Sequence, residues 1–157
     1  MLNRFEQFTA TISAIHRDIQ KIERDEMEKF GLKGAYAQYL LAINRFPNGI
    51  TAATVCEICD KDKAAVSRIV SEMESKGLLT REYAGSKQYR ALLKLTEKGA
   101  EAARFVRERA TAAVEFAGTG LTEQDRKILY VSLELIATNL QTICKNGIPA
   151  SDKENES

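Results

Sequence analysis

Between Thr51 and Leu95 the apolar residues change their spacing, and that change restricts the fold more than any other feature of the chain. Thr51 has the character of a helix N-cap, and Ile50 and Val55 are spaced around it to pack as a hydrophobic staple. A short helix over about residues 52–59 follows. Asp62 is a second cap, behind which Val66, Ile69, Val70 and Met73 recur at helical steps. Gly77 ends that helix, where Leu78 can fold back on Met73 as in a Schellman motif. From there the period is two. Leu79, Arg81 and Tyr83 alternate with Thr80 and Glu82, and Tyr89, Ala91, Leu93 and Leu95 alternate with Arg90, Leu92 and Lys94 across a turn at Ala84-Gly85-Ser86. This predicts a β-hairpin.

Longer helices flank this centre. In the first thirty residues Phe5, Phe8, Ile12, Ile15, Ile19 and Ile22 form a narrow seam on an otherwise charged helix, which needs another helix to cover it. Gly31 and Gly34 break the pattern, and Tyr36, Tyr39, Leu40, Ile43 and Phe46 then mark a second helix that stops at Pro47-Asn48-Gly49. Thr96 caps a fifth helix faced by Ala100, Ala103, Val106, Ala110 and Val114, ending at Gly118-Thr119-Gly120. Thr122 and Asp125 form a capping box for a sixth, with Leu129, Leu133, Ile136, Leu140 and Ile143 as its seam. Gly147 and Pro149 end the order, and Ala150 to Ser157 reads as a solvated tail.

Composition narrows the function. A 157-residue chain with 44% hydrophobic residues can build a core, and it contains neither a membrane-length apolar run nor the continuous apolar region of a signal peptide. The expected location is the cytoplasm, without membrane contact. Three cysteines, Cys56, Cys59 and Cys144, argue for reduced thiols rather than a disulfide framework. One histidine, His16, with no Gly-rich phosphate loop and no carboxylate pair tied to a nucleophile, leaves no catalytic set, so no enzyme, metal or cofactor is expected. The net charge is only +1, yet residues 60–96 hold eight Lys/Arg against five Asp/Glu. The basic surplus is local.

The order helix, short helix, tight turn, helix and hairpin is that of a winged helix-turn-helix, so the fold expected is mainly α with a small β-wing. Burying Val66, Ile69, Val70 and Met73 leaves Ala64, Ala65, Ser67, Arg68 and Ser71 on the opposite side of the fourth helix, with Lys63 in its N-terminal turn. That face is slim and free of carboxylates. Small side chains admit the helix to a major groove, Ser can bond bases or phosphate, and Arg can take guanine through two bonds. In the hairpin, Arg81, Lys87 and Arg90 are candidate contacts to phosphate or the minor groove, with Lys94 along the strand.

The run Asp62-Lys63-Ala64-Ala65-Val66-Ser67-Arg68-Ile69-Val70, then Glu74-Ser75-Lys76-Gly77-Leu78-Leu79, then Leu95-Thr96-Glu97-Lys98-Gly99 resembles the MarR family of bacterial transcriptional regulators. The resemblance implies a homodimer paired through the first, fifth and sixth helices, with two recognition helices about 34 Å apart on a palindromic site in double-stranded DNA. It implies the division 1–31 dimerisation helix, 34–96 DNA-binding lobe, 97–146 helical dimerisation region and 147–157 flexible tail. It also implies a small-molecule effector, bound between dimer helices and lobe, with His16, Tyr36 and Tyr39 as candidate lining, and a repressor that such a ligand releases. The sequence departs from the family at the wing tip, where Lys87-Gln88-Tyr89-Arg90 stands in place of Asp-x-Arg.

Two rival readings accompany this one. A winged helix can serve as a protein-docking module, in which case binding to DNA would lack the salt dependence that phosphate contacts impose. Cys56-x-x-Cys59 could sense oxidants, although no strand precedes the pair as a thioredoxin-like site requires, and small hydrophobes in the helix-turn-helix core is the plainer reading. Peroxide-sensing members of the resembled family carry a cysteine in the first helix, and this chain has none there.

Overall fold

In the computed structural model, residues 3–83 and 90–150 are described. The chain divides into two compact units, residues 1–114 and residues 115–157, with one helix running across the boundary.

The first unit begins with α1 (Arg4–Lys29), capped by Asn3 through a reciprocal capping box with Glu6. A 3₁₀ turn (Gly34–Tyr36) leads into α2 (Ala37–Asn44). Strand β1 (Ile50–Thr51) is followed at once by α3 (Ala52–Cys59), and α4 (Lys63–Ser75) comes after a turn of a few residues. That turn passes through Asp60 in the left-handed region, φ 50°, which aspartate tolerates better than most side chains. Strands β2 (Leu79–Tyr83) and β3 (Ala91–Leu95) pair antiparallel with Leu79 opposite Leu95, Arg81 opposite Leu93 and Tyr83 opposite Ala91. α5 (Glu97–Ala117) closes the unit.

The capping signals do what their chemistry requires. Thr51 Oγ1 accepts from the Thr54 amide, Asp62 Oδ1 accepts from the Ala65 amide at 2.8 Å, and the staple residues Ile50 and Val55 are both buried. At the far end of α4 the Leu78 amide donates to the Met73 carbonyl and the Gly77 amide to the Glu74 carbonyl, both at 2.9 Å, with Gly77 at φ +70°. Those are the two bonds of a Schellman motif, and Leu78 and Met73 are fully buried.

Two features differ from the sequence expectation. Ile50–Thr51 adds a third strand, giving the sheet order β1-β3-β2 with Ile50 opposite Leu93. Two residues have no period to read, so the strand exists only because β3 offers it a partner. The core also crosses the borders expected near residues 31–34 and 96–97. Met27 of α1 and Ala102, Ala103 and Val106 of α5 join Tyr36, Leu40, Ile43, Val66, Val70, Leu79 and Leu93 in one cluster. Phe30 packs on Phe105 at 5.2 Å between ring centroids, and the nearly buried Glu26 carboxylate accepts from Lys29 Nζ at 2.7 Å and Arg109 Nε at 3.3 Å. Lys29, and after it Arg109, holds the Glu26 carboxyl below the usual carboxylate range against the opposing effect of burial.

The second unit holds the end of α5 and α6 (Glu123–Asn146). Thr122 and Asp125 make the reciprocal capping box, and Arg126 donates to the Gly118 carbonyl at 2.9 Å, closing the preceding turn. No residue of α6 is buried, and Leu129, Ile136 and Leu140 of its apolar seam lie open.

Candidate nucleic-acid interface

α4 is positioned from both ends. Asp62 fixes its start, and the joint between its end and α5 is built on Thr96. The Thr96 hydroxyl donates to the Gly77 carbonyl at 2.6 Å and accepts from the Gly99 amide at 3.2 Å, while the Thr96 amide donates to the Leu78 carbonyl at 3.1 Å. Lys98 Nζ donates to the Lys76 carbonyl at 3.2 Å. Gly99 lies directly against the Leu78 backbone: a Cβ there would sit 2.9 Å from the Leu78 carbonyl carbon and closer still to its oxygen. The stretch Leu95-Thr96-Glu97-Lys98-Gly99 is thus a clamp on the end of α4.

With Val66, Ile69, Val70 and Met73 facing the core, Lys63, Ala64, Ser67, Arg68 and Ser71 are exposed and Ala65 is half-buried. Among the described residues neither Lys63 nor Arg68 has an ion-pair partner, and the Ser67 hydroxyl makes no hydrogen bond. Ser71 is engaged, since its Oγ accepts from Arg81 Nη2 at 3.1 Å. The two carboxylates of the helix are engaged as well. Glu72 Oε2 accepts from Lys33 Nζ and from the Tyr36 hydroxyl, each at 3.1 Å, and Lys33 first, then Tyr36, draws its carboxyl below the ordinary value. Burial, and then the bond to Glu72, pushes the Tyr36 phenol up. Glu74 Oε2 accepts from Arg81 Nε at 2.9 Å.

The three candidate wing cations therefore stand differently. Arg81 on β2 reaches back to α4. Arg90, just before β3, is exposed. Lys87 and the turn at Ala84-Gly85-Ser86 lie outside the described residues. Lys94 pairs with Glu82 at 2.6 Å across the strands.

The candidate effector residues do not gather. His16 is exposed on α1, whereas Tyr36 and Tyr39 are core residues, 1% and 3% exposed. A small cavity of this unit, about 80 Å³, takes its polar lining from Gln20, Glu23, Arg24, Gln38 and Lys61. None of the three candidates lines it. Burial raises the Glu23 carboxyl, with His16 and Arg24 drawing it back. The sequence signal for this lining is the polar side of α1, which includes Gln20, Glu23 and Arg24.

Cys59 Sγ lies 3.7 Å from the Gln38 carbonyl, to which it donates, and burial, then Cys56, pushes its thiol up to about 11. Cys56 is half-buried and Cys144 exposed. Among the described residues no group of three or more His, Cys, Asp or Glu could hold a metal ion, and no helix is long and apolar enough to cross a membrane.

Residues 30–86, covering α2, the helix-turn-helix and the first wing strand, match the sequence model of the MarR family, so the resemblance carried by the α4 and α5 motifs extends to this segment. No curated protein sequence matches the chain. Among solved structures, a MarR transcriptional regulator from Methanosarcina mazei Go1 shares 20% identity, with TM-score 0.77 over 91% of this chain and 94% of that one. A MarR family protein from Listeria monocytogenes, solved in complex with a 26mer DNA, shares 23% identity, with TM-score 0.74 over 96% and 99%. A SlyA-like transcription regulator from the same organism shares 23%, with TM-score 0.73 over 90% and 96%. The fold is the winged-helix fold of these proteins.

Proposed function

We infer that this chain is a DNA-binding transcriptional regulator that reads a palindromic operator as a homodimer. The observation that carries the reading is the outer face of α4, where Lys63, Ala64, Ser67 and Arg68 are exposed and unpaired among the described residues while both carboxylates of the helix are bonded elsewhere. A slim, basic, acid-poor helix face suits a major groove, and a protein of similar fold was solved with DNA. In this reading Lys63, Ala64, Ala65, Ser67 and Arg68 meet the groove, and Arg90 and Lys87 meet the backbone beside it.

The open apolar seams of α1 (Phe5, Phe8, Ile12, Ile15) and α6 (Leu129, Ile136, Leu140) support pairing with a second copy, because a helix with such a seam needs a partner to cover it. Release by a small effector rests on the family resemblance alone, because the cavity beside α1 and α2, about 80 Å³, is smaller than an ordinary ligand pocket. The elevated Cys59 thiol weighs against Cys59 as an oxidant sensor, since the thiolate is the reactive form.

Selection of bound duplexes from a random pool tests the reading. A palindrome with half-sites about one helical turn apart is expected, and Arg68→Ala should cost about 1 to 3 kcal/mol on that site while sparing random duplex. No enrichment at low salt would refute it.

A further inference from the structure

Glu72 and Glu74 are the two carboxylates of α4, and each is held by a cation from outside the helix. Glu72 lies four residues after Arg68, a spacing at which helix side chains are surface neighbours and opposite charges attract. Left alone, its carboxylate would compete with DNA for the Arg68 guanidinium. Instead, Lys33 Nζ and the buried Tyr36 hydroxyl both bond its Oε2. Glu74 is treated alike. Arg81 gives it Nε and spans to Ser71 through Nη2, so the guanidinium lies along α4 with only about a quarter of its side chain exposed. A free carboxylate at either position would also stand within a Debye length of the incoming phosphates.

Building on the DNA-binding reading, we propose that Lys33 and Arg81 are positioning residues for recognition: they hold the two carboxylates of α4 in bonds of their own, so that neither closes an ion pair on Arg68 or stands free before phosphate, and Arg81 acts through Glu74 rather than by touching DNA. By its position in the wing, Arg81 reads as a backbone contact. Its bonding partners give it the other role.

The two roles separate in a rescue experiment. Lys33→Met, Arg81→Met, Glu72→Gln, Glu74→Gln and the double variants are titrated by fluorescence anisotropy against the duplex recovered by selection and a scrambled duplex of equal length, over a salt series. Each Met variant should weaken the selected duplex by about fivefold, the scale of one unit charge exposed near phosphates in water. Pairing Lys33→Met with Glu72→Gln, or Arg81→Met with Glu74→Gln, should restore affinity to within about twofold. The crossed doubles should not. Exposed ion pairs add little to stability, so the variants should remain folded, and a charge exchange, Arg81→Glu with Glu74→Arg, gives a second route if one does not. If Arg81→Met stays weak beside Glu74→Gln, with the salt slope reduced by about 0.9, Arg81 neutralises a phosphate itself and the inference is overturned. Unchanged binding by both Met variants overturns it as well. A wild-type chain that binds no duplex brings down the DNA reading, and this inference with it.

Discussion

Gly99→Ala should destabilise the protein although it replaces glycine by the best helix former. Gly99 sits in the first turn of α5, so helix propensity alone favours alanine, by at most about 1 kcal/mol. Against that gain stands the Leu78 backbone. The new methyl would lie 2.9 Å from the Leu78 carbonyl carbon, whereas non-bonded carbons rest about 3.5 to 4.0 Å apart, so α5 and Leu78 must separate by at least roughly 0.6 to 1 Å, and the still closer carbonyl oxygen demands more. Backbone has no rotamer by which to yield. That separation stretches the Thr96 amide bond to Leu78, now 3.1 Å, and loads the Thr96 hydroxyl bond to Gly77, now 2.6 Å. Two hydrogen bonds at about 1 kcal/mol each and an overpacking term of about 1 to 3 kcal/mol, less the propensity gain, leave a net loss of about 2 kcal/mol or more. For a chain of this length 2 kcal/mol corresponds to a fall of about 4 to 8 °C in Tm. Urea and thermal unfolding followed by circular dichroism measure it. Gly77→Ala is the internal comparison: its Cβ meets nothing within 4 Å, so it bears only the left-handed strain, about 1 to 2 kcal/mol. A Gly99→Ala protein as stable as wild type, or more so, would show that the approach of α5 to Leu78 is not tight and would refute the reasoning.

Three further outcomes follow from groups described above. With its thiol near 11, Cys59 should be alkylated at pH 7 about 20- to 30-fold more slowly than a free cysteine, once the greater nucleophilicity of its thiolate is allowed for, while exposed Cys144 reacts at an ordinary rate; equal rates, read by mass spectrometry, would contradict this. Because the folded Glu26 carboxyl is held below its ordinary value of 4.5, its contribution to stability is present above that pH and is lost as pH falls through the folded value; Glu26→Gln should flatten the acid side of the urea-midpoint profile, and an unchanged slope would exclude Glu26 as its source. Leu140→Glu should shift the sedimenting species toward monomer, and a dimer that persists unchanged would place the subunit contact elsewhere than on the α6 seam.

The local grammar of the chain was legible wherever a single residue satisfies an orphan backbone group. Thr51, Asp62 and Thr122 each cap the helix assigned to them, and Gly77 with Leu78 closes α4 as its spacing requires. What escaped reading depends on partners distant in sequence. Lys33 and Glu72 are 39 residues apart, and nothing in either neighbourhood announces the pair. On α5 the expected face ran through Ala100, Ala110 and Val114, yet the fully buried positions besides Ala103 and Val106 are Gly99 and Ala102. Small residues marked a close approach there, and periodicity weighs a glycine as nothing. For the α4 face the sequence supplied the exposed set, but a helical wheel treats Ser71 and Arg81 as independent, and they are bonded to each other.

Thr96 carries a mechanical consequence. Its hydroxyl has one proton, spent on the Gly77 carbonyl, and its oxygen receives the Gly99 amide, so a single atom serves as the rivet between the turn that closes one helix and the first turn of another. A joint of that kind transmits displacement without slack. Any force that tilts α5 reaches the end of α4 within two residues, whereas valine, which matches threonine in shape but has no hydroxyl, would leave the two segments to drift.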